Sequence, residues 1–348
     1  MILINIALAM LSYQTPDSSA VNLLVGSYTR QGNPGIEIID PQTRQTVHAV
    51  AQSQASYQAL SKDQQFLFSV HEEVDGKGAV SSYKQENGTF TRLSTQLTQG
   101  DAPCYVLFRE ASQTVYTANY MGGNLSVFQT KAGQIQPISQ NIVYPKPSHA
   151  HMAAIMPDGG QLVVTDLAAD KIHVHALLAS GLVSTTYTDV ELPKGTGPRH
   201  LVFSRAGDMA YVLGEISGTV DVFRIYADEF THIQRIVLDT STGNPSHASA
   251  DIHLSPDGKW LLASNRITQN SIRVYAVLPS GELRDFKEYT VSKTPRNFQF
   301  DPSGRFVYVA SQTENRIQKW AFEEGVLTDT QQDIAVKQPV AILFLKKK

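Results

Sequence analysis

Apolar residues along this chain gather in short runs of four to eight, rich in Val, Ile, Tyr and Phe. Several runs alternate apolar and polar positions with period two, as in "TVDVFRI" (219–225) and "SIRVYAV" (271–277). That is the pattern of half-buried strands, and no amphipathic helix stands out. Between the runs a turn recurs: "IMPDGGQLVVTD" at Pro157, "FSRAGDMAYVLGE" at Arg205, "LSPDGKWLLASN" at Pro256 and "FDPSGRFVYVAS" at Pro302. Degenerate copies sit at Lys62 ("LSKDQQFLFSV") and Arg109 ("FREASQTVYTA"), so the successive separations are 47, 48, 48, 51 and 46 residues. A period in that range, with Gly, Pro and Asp turns between β-rich runs, predicts propeller blades of four strands.

Each repeat reads as an innermost strand, the turn, a second strand, a polar loop, a third strand and a looser fourth. The innermost strands are "SYQALS", "APCYVLF", "HAHMAAI", "PRHLVFS", "SADIHLS", "TPRNFQF" and, at 338–344, "QPVAILF". The last has no second strand after it, while "VNLLVGSYT" (21–29) is a second strand with no innermost strand before it. Together they make one blade. The expected fold is therefore all-β: a seven-bladed β-propeller of four-stranded antiparallel blades, its ring closed by joining the N-terminal strands to the C-terminal strand. Closure of this kind removes the exposed sheet edges that an open array would leave for aggregation. Residues 21–348 form this single domain.

The antiparallel pairing sorts polar residues by face. Starts of innermost strands carry His149, His151, Arg199, His200 and Arg296; ends of second strands carry His71, Glu72, Asn119, Tyr120, Asp166, Glu215, Asn265, Arg266 and Gln312. All fall on one rim, and the other face holds ordinary turns. Charges inside a fold are costly unless paired. A one-sided ring of them predicts a binding site at one channel mouth, or else a set of staples between blades.

Composition narrows the chemistry. Of 348 residues, 42% are hydrophobic and 18% charged, and the net charge of −3 gives no general attraction to nucleic acid or anionic membrane. Cys104 is the single cysteine, which excludes an internal disulfide and a cysteine-based zinc site. His149 and His151, two apart on a strand, share a side and suit a metal, but no third ligand stands at a demanding spacing. No metal or cofactor is expected. Nucleophile-elbow and phosphate-loop motifs are absent, and "MGGN" (121–124) reads as a hairpin loop. Residues 1–20 open with the apolar run Ile2 to Leu11 and end in small residues, like a removable leader, yet no Lys or Arg precedes the run. A cleaved leader would place the protein in the periplasm or outside the cell; without it the cytoplasm is the expected compartment.

The segments "LLVGSYT", "FLFSVHEE", "ANYMGGNLSVF", "HAHMAAIMPDG", "GPRHLVFS…YVLGE", "ADIHLSPDG…LLASNR" and "PRNFQFDPSGRFVYVASQ" run in order from about residue 22 to the C-terminus. In them the chain resembles the seven-bladed propeller lactonases of the bacterial 6-phosphogluconolactonase type, a scaffold shared with fungal carboxymuconate lactonizing enzymes. The resemblance implies hydrolysis of a sugar-acid lactone, with a small-molecule lactone as partner and a monomer or weak dimer as the working form. In the fungal branch a His, an Arg, a Glu and a second Arg are implicated, and these match His151, Arg199, Glu215 and Arg266 here. His151 is then expected as general base near its ordinary pKa, Glu215 as its partner, the two arginines as anion stabilisers, and Arg296 and His200 as holders of a distal anion. His149, Glu72, Asn119 and Gln312 complete the expected substrate contacts. Two departures stand on the rim: Tyr105 where the family usually has His, and His71 where it usually has Asn. A muconate-type cyclase and a non-enzymatic binding platform are the alternative readings, since fold alone does not settle function.

Overall fold

In the computed structural model, residues 21–227, 229–241 and 247–347 are described, and they form seven sheets. The leader expected over residues 1–20 lies outside them. The innermost strands are Gln58–Leu60, Pro103–Arg109, Ala150–Ile155, Pro198–Phe203, Ser249–Leu254, Pro295–Phe300 and Pro339–Lys346. We number the blades one to seven in that order. Neighbouring innermost strands pack side by side around the ring. Blade six adds a two-residue strand, Ile334–Ala335, beside its third strand.

Blade seven closes the ring as the sequence predicts. Pro339–Lys346 pairs antiparallel with Val21–Ser27, and Leu23, Leu24 and Val25 face Phe344, Leu343 and Ile342. Those three N-terminal residues are fully buried. The two ends of the described chain therefore share one apolar layer, which fixes the register of both.

Burial follows position in the blade. Second strands such as Met209–Gly214 are buried along their whole length, because neighbouring blades cover both faces. Outer strands such as Gln134–Val143 alternate between buried and exposed, with one face toward solvent. The Pro-Asp-Gly turns lie at one end of each blade. There Gly159 and Gly258 sit at φ +78° and +74°, a conformation that costs a side-chain-bearing residue about 1 kcal/mol or more. In the degenerate first copy Gln64 takes the same left-handed conformation at φ +59°.

Candidate active site

At the opposite end of the blades the innermost strands lose their regular register. Shifts fall between Pro103 and Tyr105, Ala150 and Met152, Pro198 and Leu201, Ser249 and Ile252, and Pro295 and Asn297, as well as opposite Gly26 and Ser27. Six of the seven innermost strands thus carry a bulge at the same level. The residues inside five of them include Cys104, His151, Arg199, His200, Asp251 and Arg296. A bulge re-aims side chains that regular pleating would send into the blade. His149 and His151 consequently reach the same side through a bulge, not through simple alternation, and both rings pack against Tyr120, with centroids 4.3 and 5.7 Å away.

The four residues singled out by motif converge. Glu215 stands between two guanidiniums: its Oε2 accepts from Arg199 Nη1 at 3.1 Å, and its Oε1 lies 3.1 Å from Arg266 Nη2. Arg199 also donates to His151 Nε2 (2.5 Å) and, through Nε, to the Ala250 carbonyl (2.6 Å). Arg266 donates through Nε to the Ala248 carbonyl at 2.8 Å. The arginines are nearly enclosed, with Arg199 only 5% exposed at its side chain, whereas Glu215 keeps 22% and so opens to the channel. Each guanidinium keeps one terminal nitrogen, Nη2 of Arg199 and Nη1 of Arg266, outside any hydrogen bond among the described residues.

The electrostatics follow from this packing. Burial pushes the Glu215 carboxyl up, but Arg199, Arg266 and Arg296 outweigh it and hold the group below the ordinary carboxylate range. Arg266, buried and then crowded by the other two guanidiniums against the pull of Glu215, is brought down to about 9. His151 departs from expectation. Burial first and the Arg199 charge second take it well below 6.5, so it is neutral near pH 7. Its Nε2 lone pair is occupied by Arg199, while its buried Nδ1 has no partner. An imidazole in that state is a weak base with its lone pair engaged.

The remaining predicted residues divide. Arg296 reaches the mouth, 3.8 Å from Glu72 and over the Tyr28 ring at 5.1 Å. Glu72 accepts from the Tyr28 hydroxyl with both oxygens at 2.9 Å. His149 is half-buried on Tyr120. His200 is a correction. Its Nδ1 is 2.8 Å from Asp251, burial lowers it to about 4, and a neutral, buried imidazole offers no charge to a distal anion. Asn119 is a second correction: it is fully buried and donates to the Asn124 carbonyl and Ser126 Oγ, tying strands of its own blade. Gln312 is half-buried, and its side chain makes no hydrogen bond among the described residues. Of the two departures, Tyr105 enters the channel, stacked on Tyr57 at 4.2 Å and edge-on to His200 at 5.7 Å. His71 turns instead into its blade, against Ser81 (2.7 Å) and Ser53 (3.2 Å).

Sequence reasoning missed Tyr28 and Asp251. Asp251 accepts from His200, from His253 Nε2 (3.0 Å), from Asn297 Nδ2 (2.5 Å) and from the Phe298 amide (3.2 Å), joining blades four, five and six. Its signal was visible as an acidic residue inside the apolar run "SADIHLS". Tyr28 follows directly on the closing strand, in "GSYTR". Among the described residues no group of three or more His, Cys, Asp or Glu side chains is arranged to hold a metal ion.

The chain as a whole is similar to known proteins. The family model described as "Lactonase, 7-bladed beta-propeller" matches residues 22–344. A 6-phosphogluconolactonase of Bacillus subtilis is 32% identical over 345 residues, covering 92% of this chain and 97% of that one. Among solved structures, a candidate 6-phosphogluconolactonase of Bacteroides fragilis superposes with a TM-score of 0.88 at 33% identity, covering 94% of this chain and 98% of that chain. The periplasmic gluconolactonase of Pseudomonas aeruginosa gives a TM-score of 0.86 at 30% identity, over 94% of this chain and 99% of that chain.

Proposed function

Because the chain belongs to the seven-bladed β-propeller lactonase family, we propose that it hydrolyses 6-phosphogluconolactone to 6-phosphogluconate at the channel mouth built by Arg199, Glu215 and Arg266. The observation that carries this is the sharing of one partly open carboxylate between two guanidiniums, each with a terminal nitrogen to spare. The relatives named above as 6-phosphogluconolactonases support the substrate class.

The lactone carbonyl oxygen takes the spare N–H groups of Arg199 and Arg266. Fixed donors aimed at the oxygen stabilise the negative charge that develops when water attacks, a contribution typically of about 3–4 kcal/mol per donor. Glu215, held ionised by the same arginines, accepts the proton of the attacking water as its oxygen bonds to the carbonyl carbon. The tetrahedral intermediate then expels the ring oxygen. The C–O bond of the ring breaks, the proton on Glu215 passes to that oxygen, and the open-chain hydroxy acid leaves. His151 acts by positioning: its Nε2 holds Arg199 in place and its neutrality adds no competing charge beside Glu215.

A panel of sugar-acid lactones, with and without phosphate and followed by acid release, tests the proposal. The expected result is enzyme-like turnover of 6-phosphogluconolactone, with kcat/KM of about 10⁴ per molar per second or more. Rates no faster than spontaneous opening across the panel would refute it. The pH profile carries a second expectation. Glu215 is needed ionised and sits below the ordinary carboxylate range, so kcat/KM should stay flat as pH falls to about 4.5 and decline only below it.

A further inference from the structure

Three arginines, Arg199, Arg266 and Arg296, stand at this mouth, a fourth, Arg30, packs on Tyr28 beside it, and they are not equivalent. Arg199 and Arg266 are engaged with Glu215, His151 and backbone carbonyls, as described above. Arg296, by contrast, forms no hydrogen bond among the described residues and makes only the loose 3.8 Å contact with Glu72. Arg30, just past the closing strand Val21–Ser27, is exposed and has neither a hydrogen bond nor an ion pair among the described residues. Both open guanidiniums lie over one ring, that of Tyr28, with Cζ 4.9 Å (Arg30) and 5.1 Å (Arg296) from its centroid. They can be no farther apart than those two distances end to end. Tyr28 itself is buried and pinned by its hydroxyl to both oxygens of Glu72. The ring is a rigid mount for two cations with free donors.

Charge points the same way. Four guanidiniums at and beside the mouth outnumber the carboxylates Glu72, Glu215 and Asp251, and Asp251 is already engaged by His200, His253 and Asn297. Arg30 and Arg296 are the two whose donors are unspent among the described residues. A phosphate monoester carries about −1.5 to −2 near pH 7 and presents three acceptor oxygens, which the guanidinium fork matches. The placement also fits. Arg199, Glu215 and Arg266 come from blades four and five, and Arg30, Tyr28 and Glu72 from blades seven and one across the ring. In a 6-phosphoaldono-δ-lactone the phosphoryl group hangs on the C6 arm, outside the ring that holds the carbonyl, so a second set of residues can grip it.

We propose that Arg30 and Arg296, mounted on Tyr28, form the subsite that grips the phosphoryl group, and that Arg30 sets the preference for phosphorylated over unphosphorylated lactones. The inference rests on reading the mouth as the lactone site. Its test separates the two. Inorganic phosphate is titrated calorimetrically into the full chain and into the exposed-site variant Arg30→Ala. In parallel, the ratio of kcat/KM for 6-phosphogluconolactone to that for glucono-δ-lactone is measured in both proteins. The expected result is phosphate binding weakened about 10-fold or more in the variant, with the ratio falling roughly 10- to 30-fold, mainly through KM. Identical phosphate binding in the two proteins, no binding to the wild type, or a ratio unchanged within about twofold overturns the subsite. Phosphate binding that depends on Arg30 in a chain that opens neither lactone would leave the subsite standing and remove the lactonase reading.

Discussion

The two ends of the innermost strands differ in everything but their backbone origin. At the turn end the register is regular, the residues repeat from blade to blade, and the contacts are those of ordinary turns. At the mouth end six strands bulge, and the bulges carry different groups: the Cys104 thiol, the imidazoles of His151 and His200, the guanidiniums of Arg199 and Arg296 and the buried Asp251 carboxylate. Repetition at one end supplies the ring. Departure from repetition at the other supplies the chemistry. The contrast predicts that substitutions of similar size will act on activity at one end and on stability alone at the other.

The largest effect is expected for Arg199→Ala. It removes an oxyanion donor, leaves Glu215 with Arg266 alone and frees His151 together, so kcat/KM on 6-phosphogluconolactone should fall about 10³-fold or more. Loss of one partner from a nearly buried pair should also cost about 3 kcal/mol in denaturant unfolding. A variant with full stability and near-normal turnover would erase the contrast. Asp251→Asn sharpens it from beneath the mouth. Its carboxylate accepts from five groups across three blades, the Ile252 amide included, and removing the charge should destabilise the fold by about 2–3 kcal/mol. Burial pushes Asp251 up, but its histidine partners outweigh it and hold the carboxyl far below 3.8. That stability is therefore present above the unfolded pKa of about 4 and is lost as pH falls further. The mutant should show a correspondingly shallower acid transition by circular dichroism. The smallest effect is expected at the turn end, for Gly258→Ala. A Cβ there meets nothing within 4 Å, so only the left-handed backbone is penalised, by about 1 kcal/mol in the melting transition. Its kcat/KM should match the wild type, and a loss of activity would show that the turn end also serves the chemistry.

The ring was readable because its cause is repetitive. The turn at Lys62, Arg109, Pro157, Arg205, Pro256 and Pro302 marks six blades, and the unmatched strands at the two ends mark the seventh, where the ring closes. Antiparallel pairing alone then brought His151, Arg199, Glu215 and Arg266 to one rim, where the structure has them in contact. The bulges were not readable, because a one-residue slip in register has no residue type of its own. For the same reason Asp251 and Tyr28 escaped notice: their roles arise from partners on other blades. The protonation state of His151 was likewise hidden. It depends on burial and on a guanidinium from the next blade, and neither is written within "HAHMAAI".

Glu215 carries the central step of the proposed reaction. The decisive measurement is kcat for 6-phosphogluconolactone in Glu215→Gln, on protein whose melting and circular dichroism are recorded alongside. Gln keeps the size and one acceptor oxygen but cannot take a proton from water, and kcat is predicted to fall about 10²- to 10⁴-fold while the propeller remains assembled. A folded Glu215→Gln protein that opens the lactone within a few-fold of the wild-type rate would contradict the assignment.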